Sequence, residues 1–108
     1  MNISLNDSEI LQVQSNDGEI ILTYLDWQEE EKKIRFDNPI YMELQYAGLN
    51  YKVKSGDFII KDNDKKINEI CSKFEEEETG YKLFTIMCPW DENKLVEIIA
   101  KKVELLTF

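Results

Sequence analysis

The sequence predicts an α+β fold that is mostly β: about six to eight antiparallel strands, sandwich-like or strongly twisted, with one amphipathic helix at about 63–78. Three observations predict it. Apolar and polar residues alternate at period two through much of the chain, most clearly in IYMELQY at 40–46. Turn-forming clusters (SNDG at 15–18, AGLN at 47–50, SGD at 55–57, PWDEN at 89–93) recur at short intervals. The period changes to a helical one in NDKKINEICSKFEEEE at 63–78.

The elements follow in chain order. EILQVQ at 9–14 reads as a first strand, with Ile10 and Gln12 on one face and Leu11 and Val13 on the other, before the SNDG turn. EIILTYLDW at 19–27 is rich in β-branched and aromatic residues and reads as a second strand. Ile21, Leu25 and Trp27 share one face of it and Ile20, Leu22 and Tyr24 the other. Two apolar faces imply a strand covered on both sides, by a second layer and by the helix. KKIRF at 32–36 is a third strand, so QEEE at 28–31 becomes the solvated connection of a hairpin.

IYMELQY directs Ile40, Met42, Leu44 and Tyr46 inward and Tyr41, Glu43 and Gln45 outward. YKVK at 51–54 and FIIK at 58–61 are short strand candidates. In the helix, Ile67, Ile70, Cys71 and Phe74 fall at i, i+3, i+4 and i+7, Asn63 or Asp64 is the N-cap, and Gly80 lies just past the end. Glu75 to Glu78 oppose the helix dipole, so the last turn should fray. YKLFTIMC at 81–88 is a strand. For KLVEIIAKKVELLTF at 94–108, a helix would align Leu95, Ile98, Ile99, Val103 and Leu106 and pair Glu97 with Lys101. The preferred reading is a strand with a one-residue bulge at the lysine pair, because β-branched residues dominate.

A chain of 108 residues, 43% hydrophobic, supports one hydrophobic core and therefore one domain, 1–108. The net charge of −9 repels phosphate backbones and anionic headgroups, which argues against nucleic-acid or membrane binding and favours basic protein partners. The first residues lack the basic and apolar regions of a secretion signal, and no stretch approaches the about 18 apolar residues of a membrane span, so a cytoplasmic location is expected. Cys71 and Cys88 are not in CxxC spacing and read as reduced, mostly buried thiols.

Catalytic chemistry is thinly supplied. The sequence contains no histidine, which removes the commonest general base, metal ligand and triad member. Asp57, Asp62, Asn63 and Asp64 gather oxygen ligands, yet Ile67 and Lys73 occupy the positions where a calcium loop starting at Asp62 needs Gly and Glu, so turn and cap roles explain them better. There is no phosphate-binding glycine loop, and no cofactor or metal is implied.

Candidate contact residues form three groups: Asp26, Trp27, Glu29, Glu30 and Glu31; Trp90, Asp91 and Glu92; and Glu75, Glu76, Glu77 and Glu78. An aromatic side chain among carboxylates suits a cationic partner, since Trp supplies contact area and acids pair with Lys or Arg. Trp27 also shares a face with Leu25 and Ile21, which points it to the core, whereas Trp90 follows a proline in a loop. Two other functions stay open. One is a carboxylate-dependent small-molecule enzyme or ligand binder, which would need two acids from Asp26, Glu43, Asp57 or Glu97 converging in an apolar pocket. The other is a homo-oligomeric structural subunit.

LNDSEI at 5–10, GEIIL at 18–22, IRFDN at 34–38 and the closing IIAKKVEL at 98–105 give the chain a layout that resembles small bacterial immunity-type and uncharacterised families of polymorphic toxin systems. The resemblance implies a β-rich fold with a helix and a non-enzymatic role, binding and blocking a cognate toxin domain.

Overall fold

The computed structural model describes residues 3–45, 53–77 and 80–106. The expected Tyr46, the AGLN turn, the first half of YKVK, Glu78 and the last two residues lie outside that set. Nine strands and one helix are described in the order β1 (Ser8–Asn16), β2 (Glu19–Leu25), β3 (Glu31–Asp37), β4 (Tyr41–Leu44), β5 (Val53–Ser55), β6 (Phe58–Lys61), α1 (Lys65–Lys73), β7 (Lys82–Met87), β8 (Lys94–Ala100) and β9 (Lys102–Leu106). They form two antiparallel sheets, β5-β1-β2-β3-β9 and β4-β8-β7-β6. The predicted class, α+β and mostly β, is the observed one.

The strand number exceeds the expected six to eight because the closing strand is cut in two, β8 and β9, where it passes from one sheet into the other. β3 pairs with β9 in the first sheet and β4 with β8 in the second, so two neighbouring strands turn the corner together. Between the pairs Asp37↔Lys102 and Tyr41↔Ile99, one side holds three residues (38 to 40) and the other two (100 and 101). The bulge expected at the lysine pair thus has its extra residue on the opposite strand. Its effect is to bend both strands, as strand irregularities do at sheet corners. Lys101 N–H donates to Asp37 O at 3.0 Å, and Ile40 N–H to Ile99 O at 2.9 Å, across the bend. A third corner is Gly56–Asp57, between β5 and β6. The 94–106 segment is strand, and Glu97 does not pair with Lys101, whose ammonium lies instead over the Tyr81 ring at 5.1 Å.

Between the sheets lies the main core. β3 presents Ile34 and Phe36, and β2 presents Ile20, Leu22 and Tyr24, to Phe84 and Ile86 of β7 and to Val96, Ile98 and Ala100 of β8. Phe36 meets Phe84 edge-on at 5.2 Å, and Phe58 stacks on Phe84 at 6.1 Å. Each such buried side chain contributes about 1.5–3 kcal/mol, so this layer dominates the stability. In β1 the inward residues are Ile10 and Val13, three apart, because the pairing with β2 shifts between Ile10 and Gln12. The simple alternation expected for 9–14 therefore fails at a bulge. Met42 is exposed rather than core, since β4 is the margin of its sheet, and Ile40 and Tyr41 turn to the helix side.

α1 is shorter than expected and covers the other sheet. It leaves β6 and returns to β7, which are neighbours, so the short connections keep it on the four-stranded sheet instead of over β2. Ile67 and Cys71 bury against Tyr81, Leu83 and Ile99 in a second, smaller apolar cluster. Asp64 is the N-cap, its carboxylate accepting Lys66 N–H at 2.9 Å. The helix stops at Lys73, and Phe74, expected on the buried face, is its exposed C-cap. Glu75 at φ 56° is the left-handed residue that ends the helix, whereas Gly80, also at positive φ (86°), lies further on, just before β7. Glu76 N–H then donates to Cys71 O at 2.8 Å and Glu75 N–H to Ser72 O at 3.4 Å, the two bonds of a Schellman ending. Cys71 is buried, Cys88 partly so, and they are not joined in a disulfide.

Candidate functional site

The strand registers bring four connections to one end of the molecule. Glu9 faces Leu25, which faces Glu31, while Ser8 faces Ser55. Phe58 faces Ile86 and Met87 faces Lys94. The segment before β1, the β2–β3 turn, the Gly56–Asp57 corner and the β7–β8 loop are therefore neighbours, and Trp27 and Trp90 sit on the second and fourth of them.

Asp26 builds the first turn. Its Oδ1 accepts the N–H groups of Gln28 and Glu30, both at 2.9 Å, while its own N–H donates to Glu30 O and its carbonyl accepts Glu29 N–H. Oδ2 is buried and faces Lys32 Nζ at 2.9 Å. The Lys32 ammonium, helped by the Glu30 and Gln28 amides, holds this carboxyl below the usual carboxylate range, and Asp26 in turn raises the lysine. With Asp26 turned inward and Glu29 at φ 62°, Trp27 is thrown outward and is 71% exposed. That corrects the core placement its strand face suggested. The turn closes before the alternation of β2 reaches Trp27.

The second loop is fixed in the same way. Asp91 accepts Asn93 N–H at 2.8 Å, which lowers its carboxyl, and Cys88 N–H donates to Asn93 O at 2.8 Å. Gly56 N–H donates to Met87 O at 2.8 Å and Met87 N–H to Asp57 O at 2.9 Å, joining the corner to this loop. A Cβ on Gly56 would lie 3.0 Å from Pro89 Cα, so a larger residue would have to push the Pro89 backbone aside by a few tenths of an ångström. Trp90, between Pro89 and Asp91, is 77% exposed.

Two adjoining clefts lie at this end, and Trp27 lines the smaller. One, of about 450 Å³, is lined by Asp7, Asp57, Cys88, Asp91 and Glu92; the other, of about 160 Å³, by Asp7, Glu9, Asp26, Trp27, Glu29 and Lys54. Asp7 borders both. Glu9 is paired with Lys54 at 3.2 Å and Asp26 with Lys32. Asp7, Glu29, Asp57, Asp91 and Glu92 make no ion pair among the described residues, so five carboxylates are left to attract a cation. Sequence reasoning had found Asp26, Trp27, Glu29, Trp90, Asp91 and Glu92; it missed Asp7 and Asp57 as neighbours, which only the strand registers disclose.

Glu30 and Glu31 are exposed beside Trp27, at the same end. Glu75, Glu76 and Glu77 are exposed but elsewhere: Glu76 is close enough to the Tyr81 phenol to raise it further, after burial, and Tyr81 precedes β7 whereas the Trp90 loop follows it. The helix-end acids thus belong to the opposite end of a six-residue strand of about 20 Å.

Another constellation lies beside α1. Glu43 and Glu97 face each other across β4 and β8, and Lys66 from the helix reaches Glu97 Oε1 at 2.9 Å and Glu43 Oε2 at 3.5 Å. Lys94 stands 3.5 Å from Glu97 Oε2, and Tyr41 donates to Glu43. The Tyr41 hydrogen bond and Lys66 lower Glu43, with burial opposing; burial pulls Lys66 down, but its bonds to Glu97 and Tyr41 outweigh this and raise it. The two acids do converge, onto an ammonium rather than an open cavity. The only sign in the sequence was a glutamate inside the apolar run LVEIIA.

Comparison with protein-family models, with curated proteins and with solved structures gives no match.

Proposed function

We propose that the chain is a non-enzymatic binding protein whose acidic, tryptophan-bearing end docks on a basic protein. The observation that carries this reading is the pair of tryptophans, 71% and 77% exposed, on hydrogen-bonded turns at one end that also holds five carboxylates with no ion pair among the described residues. Large exposed indoles on fixed backbone resemble the anchors that dominate protein interfaces, and rigid turns lower the entropy lost on docking. The acids would speed encounter with a basic surface and align it. The immunity role implied by the resemblance gives the specific form: a cytoplasmic protein that occludes a toxin domain, the acids competing for a site that binds phosphate in a nuclease.

The small-molecule reading is less favoured because Glu43 and Glu97 already spend their oxygens on Lys66, Lys94 and Tyr41. Co-expression with the product of the adjacent upstream gene tests the proposal. Copurification, relief of toxicity and loss of both in the double variant Trp27→Ala, Trp90→Ala are expected. A neighbour that is harmless alone and does not bind would overturn the immunity form, and undiminished binding by the double variant would overturn the assigned surface.

A further inference from the structure

We propose that α1 is a latched cover: it lifts from the four-stranded sheet while the strands stay paired, and the Lys66 ammonium between Glu97 and Glu43 is the latch. The sheet does not depend on the helix for its pairing, since β6 and β7, the strands that α1 connects, are bonded directly through Phe58↔Ile86 to Lys61↔Leu83. Nor does the main core. α1 fully buries only Ile67 and Cys71 of its nine residues, in a cluster separate from the one between the sheets. A nine-residue helix is marginal in water, so once lifted it unwinds, which makes the opening a local unfolding step.

Charge resists opening alongside the burial of Ile67 and Cys71. The Glu97 side chain is 3% exposed in the middle of β8, and Lys66 reaches it at 2.9 Å. Among the described residues the charged and titratable groups around it are Lys94 on its own strand and Glu43 and Tyr41 on β4; its β7 neighbour, Thr85, is neutral. Removing Lys66 leaves two facing carboxylates with Lys94 alone, and like charges directly opposite each other on paired strands repel. Stripping one partner from a buried ion pair is costly in the closed state and costs nothing once water enters, so loss of the lysine charge favours the open one. Opening uncovers Tyr81, Leu83 and Ile99, an apolar strip that the closed helix hides.

Cys71 reports the motion, because it is fully buried on α1. In a Cys88→Ser background it is the single thiol, and labelling by an aromatic disulfide reagent measures how often the cover opens. The expected result is labelling whose urea dependence is shallow compared with that of global unfolding. Lys66→Gln, a substitution neutral for helix propensity, should accelerate labelling by about tenfold or more while circular dichroism of the strands is kept. Lys66→Arg and the exposed control Lys65→Gln should leave the rate close to the parent. Labelling with the full urea dependence of global unfolding would overturn the cover, as would collapse of the strands in Lys66→Gln. An unchanged rate in Lys66→Gln would overturn the latch.

Discussion

Replacing Glu75 by glycine should stabilise the protein. Glu75 occupies the position after the helix C-cap at φ 56°, where a Cβ crowds the backbone and costs about 1–2 kcal/mol. Glycine removes that strain but returns about 0.5–1 kcal/mol through its freer unfolded chain. A carboxylate also leaves the negative end of the helix dipole, worth about 0.3–1 kcal/mol. The net gain is about 1 kcal/mol, or roughly 5 °C in Tm for a domain of this size. Thermal and urea unfolding followed by circular dichroism measure it. Glu75→Ala separates the contributions, because it removes the charge and keeps the strain, so it should gain about half as much or less. If glycine is no better than alanine, the left-handed Schellman ending is wrong. Since Glu75 lies away from the Trp27 and Trp90 turns, Glu75→Gly should leave partner binding unchanged.

Phe36→Ala should cost about 3–5 kcal/mol in urea unfolding, since it empties the ring contacts between the sheets; a cost below about 1 kcal/mol would contradict the core. Gly56→Ala should destabilise by about 1–3 kcal/mol by pushing Pro89 from the corner, and wild-type stability would refute that approach. Asp26, Glu43 and Asp91 have depressed carboxyls, so their contribution is complete above about pH 5 and lost as pH falls through the folded values. Tyr24, Tyr41, Lys32 and Lys66 are raised, so theirs is complete below about pH 10 and lost above it; the urea midpoint should plateau between about pH 5 and 9. Asp26→Asn should flatten part of the acid limb, and an unaltered limb would count against its role. Relative to free tryptophan, emission should be protected more from iodide than from caesium, because unpaired carboxylates share this end with both indoles, and the reverse order would contradict an acidic site.

The strands and helix were legible because their signals are local. Period two in KKIRF, the β-favouring residues of YKLFTIMC, and period 3.6 through Ile67 and Cys71 reflect which side chains meet an apolar layer, and those layers are present. What failed depended on geometry that no short window holds. The bulge in β1 moved Val13 to the face of Ile10, and the corner at Lys101 divided a closing segment that read as one bulged strand. The placement of α1 followed from which strands it joins, so the two apolar faces of β2 were a misleading guide. Ile21 and Leu25 are only partly buried on a face that carries no helix among the described residues. Phe74 matched the helical period and still ended up exposed, because the helix ended at that residue.

Asp26 shows why the site itself was only half visible. In sequence it stands beside Trp27 and three glutamates, and all five look like equivalent parts of an acidic patch. In the fold its oxygens are committed to two turn amides and to Lys32, so it has little left to offer a partner. That commitment is nevertheless what ejects Trp27 from the strand alternation and holds the indole in solvent. Asp91 and Gly56 do the same for the loop that carries Trp90. The contact residues and the residues that shape them are therefore different sets. Neutralising Asp26 should act on binding through the conformation of the turn, whereas neutralising Asp7, Asp57 or Glu92 should act through charge and be mimicked by salt.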